Sequence, residues 1–476
     1  MLKIKKKKFI DSGERMIMDI KNIERSSRDK KQDFIFNVII GVFIMLIFTA
    51  LKDTAMRQNI INHWFDYYIK LRMNSDTETK RASDNLVFLD FDNKSMRDLG
   101  RPEMIPRNKI ADLVRFAYNG GAGIIIIDLD FSVRDYTPER LLAGDNEQMT
   151  GQDRDNILFN LLRQIREDTD SPTKIFLPVT AYSDREQKNN IFAELFDNKK
   201  IYPVTPNFTL SNPDNVVRFW MPYFEAIESN THNHNVLWSM PLLSLALFYG
   251  DFDEIDKLKH EVIEGENNSF TLNIRRDNSE HKFTFYRENS HENELIRDSK
   301  YLQYNRIQYT FLPPNTTPNA PFGTIPLNRI GHWRKKGIDN KRIDYKGKIV
   351  IIGRADSDAM DFYATIAGRM SGMYIHGNSI ATILGRTQPH LASVYKYILV
   401  ETILIIAASS VFLCANSLVA IFIIVIMTIL CWLGTYWYFQ ITNEFIYTSF
   451  AFAGMGLYRI INMLRKFMKS LSGGKK

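Results

Sequence analysis

The sequence predicts an α/β external domain with a mostly parallel central sheet, plus four transmembrane α-helices, one before the domain and three after it. Three observations lead to that reading. Four long stretches are apolar and poor in charge. Between the first and second of them, short continuous apolar runs alternate with runs of helical periodicity. Two of the apolar runs end in Asp-x-Asp, at Asp90/Asp92 and at Asp128/Asp130.

Residues 1–33 are basic and open MLKIKKKKF; Phe34–Leu51 follows with no charge. About 18 apolar residues is the lower limit for crossing a bilayer. The basic leader is too extended and the apolar run too long for a cleaved signal peptide, so an uncleaved anchor is expected. From about residue 392 the chain is again almost continuously apolar. Three spans are predicted there, at 394–415, 418–439 and 445–464, and the short separators imply tight antiparallel hairpins. Trp432, Tyr436, Trp437, Tyr438 and Tyr447 form the expected interfacial belt.

Arg25, Arg28, Lys30 and Lys31 precede the first span, and the basic tail at 465–476 follows the last. Lys and Arg bias sets orientation. It places both termini in the cytoplasm and residues 52–391 outside it, across an inner membrane. The net charge of +7 resides largely in these two tails, where it meets anionic lipid headgroups. No recognition motif accompanies it, so no nucleic-acid partner is expected. The two cysteines, Cys414 and Cys431, fall in predicted spans, so no disulfide staples the external domain.

Within that domain, His63–Asn74 has helical spacing. Asn85–Asp92 reads as a buried strand, residues 107–118 as a helix stopped by Gly120–Gly121, and AGIIIIDLDF (122–131) as the next buried strand. Continuous apolar strands around a helix signal a parallel βαβ unit covered on both faces. Further strands are predicted at Lys174–Tyr182 and Tyr345–Gly353, an alternating antiparallel strand at Val216–Tyr223, and helices around Ile157–Ile165, Trp238–Gly250 and Ile375–Gly385. The polar stretch 251–320 reads as an irregular meander, with some alternation in FTLNIR and KFTFYR.

In a parallel sheet, ligands bind outside the carboxyl ends of the strands. Asp90, Asp92, Asp128 and Asp130 stand at such ends, and Asp356, Asp358 and Asp361 follow the IVIIG strand. If the strands are neighbours, these carboxylates converge on one rim, which could take a small ligand or a divalent cation. The other reading is that each Asp caps the next helix or bonds turn amides, and Asp92–Ser95 suits a cap. Both readings are open on the sequence. No His or Cys stands as a nucleophile–base pair and no Gly-rich phosphate loop is present, so no enzyme and no resident cofactor or metal centre is expected.

VFLDFDNKSMRDLG and PEMIPRNKIADLVRFAYNGGAGIIIIDLDFS resemble the opening of the second-type CHASE domain, a cyclase- and histidine-kinase-associated sensory extracellular domain. FDYYIKLR, VVRFWMPY, PLLSLAL and YKGKIVIIGRADSDAMDFY with MSGMYIHGNSIATILGR continue the resemblance, which covers roughly 60–464. It implies ligand sensing, relayed through the last three spans to a cytoplasmic histidine kinase, nucleotide cyclase or Ser/Thr kinase. Its family-like site positions are Asp90, Asp92, Arg107, Asp128 and Asp130. After Leu464 only RKFMKSLSGGKK remains, so the effector is expected on a separate chain. The alternative is a non-catalytic scaffold subunit of an envelope complex; a homo-oligomer fits either. One more residue stands out: Glu401 lies inside the second predicted span, where a carboxylate costs on the order of 2–3 kcal/mol and therefore seeks a polar contact or water.

Overall fold

The computed structural model describes residues 31–32, 34–51, 54–73, 77–137, 148–180, 190–211, 214–227, 234–249, 269–276, 279–286, 306–309, 324–326, 345–356, 361–414 and 417–448, with Ser75, Ile255, Lys257, Leu258 and Met468. The chain divides into two compact units, residues 1–65 with 391–476, and residues 66–390.

The 66–390 unit is mixed α/β. In chain order it contains α3 (Thr77–Ser83), β1 (Leu86–Phe91), α4 (Asn93–Asp98), α5 (Arg107–Asn119), β2 (Ile124–Asp128), α6 (Gly151–Glu167), β3 (Lys174–Pro178), β4 (Ile201–Val204), β5 (Phe208–Ser211), β6 (Val216–Trp220), β7 (Tyr223–Ile227), β8 (His234–Trp238), α7 (Met240–Tyr249), β9 (Ser269–Arg276), β10 (Ser279–Tyr286), β11 (Thr324–Pro326), β12 (Ile349–Arg354), β13 (Phe362–Thr365), β14 (Gly368–Ser371) and α8 (Gly372–Leu384). α2 (Ala55–Arg72) covers the helix expected after the first span.

The central sheet has the order β11-β1-β12-β2-β3-β4, parallel at every pairing. β1 and β2 are therefore not neighbours: β12, more than two hundred residues further on, separates them. The reason is apolar burial. VFLDF, IIIID and IVIIG are buried along nearly their whole length, and only a central position covers an apolar strand on both edges and both faces. One face, through Val87, Leu89, Ile125, Ile127 and Ile352, joins the core beneath α5 and α6. The opposite face carries α8, whose residues are all buried.

Local signals explain the helix ends. α6 starts in a capping box, with Thr150 Oγ1 taking the Asp153 N–H at 3.1 Å and Asp153 Oδ2 taking the Thr150 N–H at 3.0 Å. After α5, Gly121 has φ +78°, a conformation that side chains resist. β6 pairs antiparallel with β5, as its alternation implies, and the four-stranded sheet runs β14-β13-β6-β5. The polar 251–320 stretch contains the β9–β10 hairpin, and Ile255, Lys257 and Leu258 are helical.

The other unit contains α1 (Phe34–Ala50), α9 (Val394–Cys414) and α10 (Ser417–Thr442). Among the described residues, two helices in it are long and apolar enough to cross a membrane, Val394–Cys414 and Phe422–Thr442, and only 28% and 17% of their apolar windows are buried. α1 is apolar but shorter. Phe36, Phe43, Leu399, Phe422, Leu430 and Trp437 are exposed, a pattern suited to lipid rather than to a soluble core. The predicted fourth span begins in extended backbone at Phe445, which pairs with Ala392 through a 3.0 Å backbone bond. Nearly all the rest of it lies outside the described residues.

Candidate functional site

Strand alternation decides where the acidic side chains go. Asp90, Gly353 and Asp128 are in register across β1, β12 and β2. They share one face of the sheet, the one under α8, and two strand spacings put about 9–10 Å between the two aspartates. Asp92 and Asp130 lie past the strand ends and are taken up locally. Asp92 caps α4, accepting the Ser95 N–H at 2.7 Å and the Ser95 hydroxyl at 2.6 Å. Asp130 accepts the Ser132 N–H at 2.9 Å and its hydroxyl at 2.8 Å. Replacing Asp92 with Ala should cost about 1 kcal/mol through lost capping. The thermal midpoint measured with and without Mg²⁺ checks this: a drop that added cation enlarges or reverses would mean that Asp92 binds the ion.

Of the other candidates, Arg107 bonds Asp130, through its backbone carbonyl. It is 1% exposed; its guanidinium donates to the Asp130 carbonyl at 2.8 Å, lies 4.5 Å from the Phe131 ring centre and approaches Asp155 at 3.9 Å. Its backbone N–H donates to Asp135 Oδ2 at 2.9 Å, while Arg154 Nη1 reaches the Thr137 carbonyl at 2.9 Å and Asp135 at 4.0 Å. This network ties the loop after β2 to α5 and α6. Asp356 is gripped by Arg354 at 2.5 and 3.1 Å. Asp358 lies outside the described residues.

Asp128 and Asp361 gather with two residues that the sequence reading did not single out, Tyr363 and His376. His376, on α8, brings Nε2 to 3.9 Å from Asp128 Oδ1, the two side chains being 4% and 9% exposed. Asp361 Oδ2 accepts the first N–H of α8, from Gly372, at 3.1 Å, and its carboxyl also bonds Tyr363. Phe208 closes the cluster, edge to face with Tyr363 at 4.6 Å and 5.4 Å from the His376 ring. Asp90 Oδ2 is on the same face and takes the Tyr374 hydroxyl at 3.3 Å. The signal that was available is a histidine in a helix with no other ionisable side chain but Tyr374. What could not be read is which carboxylates it meets.

Burial dominates the electrostatics. It pushes Asp128 up to about 7. Burial, then the neighbouring Asp128 charge, pushes Asp361 up to about 7. Burial also pushes His376 down to about 4. The imidazole is therefore neutral at pH 7 and the two carboxyls are partly protonated. Among the described residues, no group of three or more His, Cys, Asp or Glu side chains is placed to hold a metal ion.

The sign of the linkage follows. The folded chain holds protons on Asp128 and Asp361 more tightly than the unfolded chain, so each contributes stability below about pH 4 that is lost as pH rises toward 7. His376 contributes stability above its ordinary 6.5 that is lost as pH falls toward 4. Two carboxyls outweigh one imidazole, so net stability from the cluster falls from pH 4 to 7. Asp128→Asn should gain stability over wild type on the order of 3 kcal/mol at pH 8 and little at pH 4. Melting the full chain at both values tests it, and an equal offset at the two would contradict it.

In the other unit, Glu401 on α9 is completely buried. Tyr397, Tyr447 and Cys431 lie near it. Tyr397 and Tyr447 stack at 4.4 Å, and Arg57 donates to the Tyr447 hydroxyl and lies 4.9 Å from its ring centre.

Taken together, the described residues form a mixed α/β domain with a parallel sheet and a buried acid–imidazole–phenol cluster, on a chain with two helices long and apolar enough for a bilayer. A family model of the CHASE2 domain matches residues 39–414, and the chain belongs to that family. CHASE2 domains are extracellular sensors in membrane proteins, not catalytic modules. No curated protein and no solved structure matches the chain.

Proposed function

We propose that this protein is a membrane sensor. Its α/β domain lies outside the cytoplasm, reads a stimulus or an envelope partner, and biases a cytoplasmic effector protein through four membrane helices. The observation that carries this reading is the reach of the family match. It runs from inside α1, through the whole α/β unit, to the last residue of α9, so the domain and its flanking apolar helices belong to one sensory module. The basic segments before the first predicted span and after the last support cytoplasmic termini.

Glu401 is proposed as the polar contact that sets the packing of the helices, since a buried carboxylate at membrane depth persists only with polar company. A stimulus shifts the helices only by the difference in its affinity for their two arrangements. Protease treatment of intact spheroplasts should digest residues 66–390 and spare the membrane helices. Protection of those residues would sink the reading. Purification in mild detergent should recover an effector whose association changes with the stimulus; a stoichiometric complex indifferent to every stimulus would instead mark a scaffold subunit.

A further inference from the structure

The cluster of Asp128, Asp361, Tyr363 and His376 comes from three separate parts of the chain: the end of β2, the approach to β13, and α8. Asp128 Oδ2 is buried and takes no hydrogen bond from any described residue, while Oδ1 lies 3.9 Å from His376 Nε2. An ionised carboxylate so placed has lost its water without replacement; a protonated one donates, and its cost is far smaller. Asp361 differs: it sits on the first N–H of α8, where the positive end of a helix favours an anion. The two carboxyls therefore titrate as a coupled pair, the second proton leaving against a like charge already present.

The groups around the pair are few and mostly neutral. α8 presents His376 and Tyr374, β1 presents Asp90 bound to Tyr374, β13 presents Tyr363, and β5 presents Phe208. β12 presents Gly353 at the level of the aspartates, and its Arg354 is bound by Asp356 and the Glu103 carbonyl. β14 carries Arg369, placed over the Phe362 ring at 5.4 Å. The residues that act on the Asp361 charge are Asp128, His376 and Tyr363.

We infer that this cluster is a proton sensor: Asp128, Asp361, Tyr363 and His376 hold the start of α8 against β2 while the carboxyls are protonated, and loosen it when both have released their protons to water. The inference rests on the sensory reading above and names its stimulus. α8 is the element to read out, because residues 385–393 join it directly to the apolar helix α9.

The test uses the full chain in nanodiscs of phosphatidylcholine, between pH 6 and 8. Infrared spectra should show a protonated-carboxyl band at pH 6 that disappears by pH 8, with part of it missing in Asp128→Asn. Hydrogen exchange across residues 361–384, corrected for its intrinsic pH dependence, should rise about tenfold over that interval, as one pKa unit of linkage requires. The rise should be smaller in Asp128→Asn and in Asp361→Asn, where one titrating carboxyl remains. A missing band at pH 6, an unchanged band at pH 8, or a titrating band with flat exchange each overturns the inference. The wild-type measurements decide it even if the variants do not fold. Such a failure leaves the spheroplast result standing, with some other stimulus to find. A domain protected from protease removes the sensory reading while the titration remains measurable.

Discussion

Gly377→Val is expected to destabilise the α/β unit by about 3 kcal/mol or more, because overpacking here has nowhere to relax. A Cβ at position 377 would lie 2.3 Å from Phe88 Cζ and 2.6 Å from its Cε1. Phe88 is itself fully buried in β1 and is packed against Tyr374 at a ring separation of 4.8 Å. Its ring can neither swing to solvent nor slide along the strand. Gly353 tells the same story from the sheet side, where a Cβ would come to 2.9 Å from Met373 Cβ. The two glycines allow α8 to lie close on the central strands, which is what brings His376 to Asp128. The check is thermal and chemical denaturation of the full chain, with exchange across 361–384 as a local probe. A variant with an unchanged midpoint would mean that α8 is less closely seated than these distances require.

Arg107→Ala is expected to cost about 3–5 kcal/mol, the usual consequence of leaving one side of a buried ion pair behind. The loss has three parts: the bonds to the Asp130 and Val133 carbonyls, at 2.8 and 3.3 Å, the stacking over Phe131, and the positive charge near Asp155 and Asp135. Burial already depresses the Arg107 guanidinium, and the carboxylates around it counter that effect. Arg107→Lys should recover only part of the loss, since an ammonium cannot bond two carbonyls and stack at the same time. A residue on a ligand rim would behave differently: its alanine variant would melt near the wild-type temperature and lose a ligand-induced shift. Equilibrium unfolding separates the two outcomes.

Arg107 also marks the limit of what motif resemblance transmits. Its position was legible, four residues after Arg-Pro-Glu and at the start of an amphipathic run, and it does open α5. Its partners were not, because Asp135 and Asp155 lie 28 and 48 residues further on, and nothing local announces their convergence. Asp92 shows the opposite case. Its cap is made with Ser95, three residues away, so the spacing alone suggested it.

The apolar periodicity of this chain was enough to locate its elements: the mixed α/β class, the strands at 86–91, 124–128 and 349–354, and the two helices capable of spanning a membrane. Each depends on residues that are neighbours along the backbone. The order of the sheet was decided only in three dimensions. β12 enters between β1 and β2 because burying a third apolar strand at the centre covers both its edges, and no pattern within β1 or β2 records that event. With it the acidic row divides. Asp128 turns under α8 to meet His376, near Asp361, while Asp92 and Asp130 remain in the turns that follow their strands, because the strands end before them and the pleat no longer fixes where their side chains point.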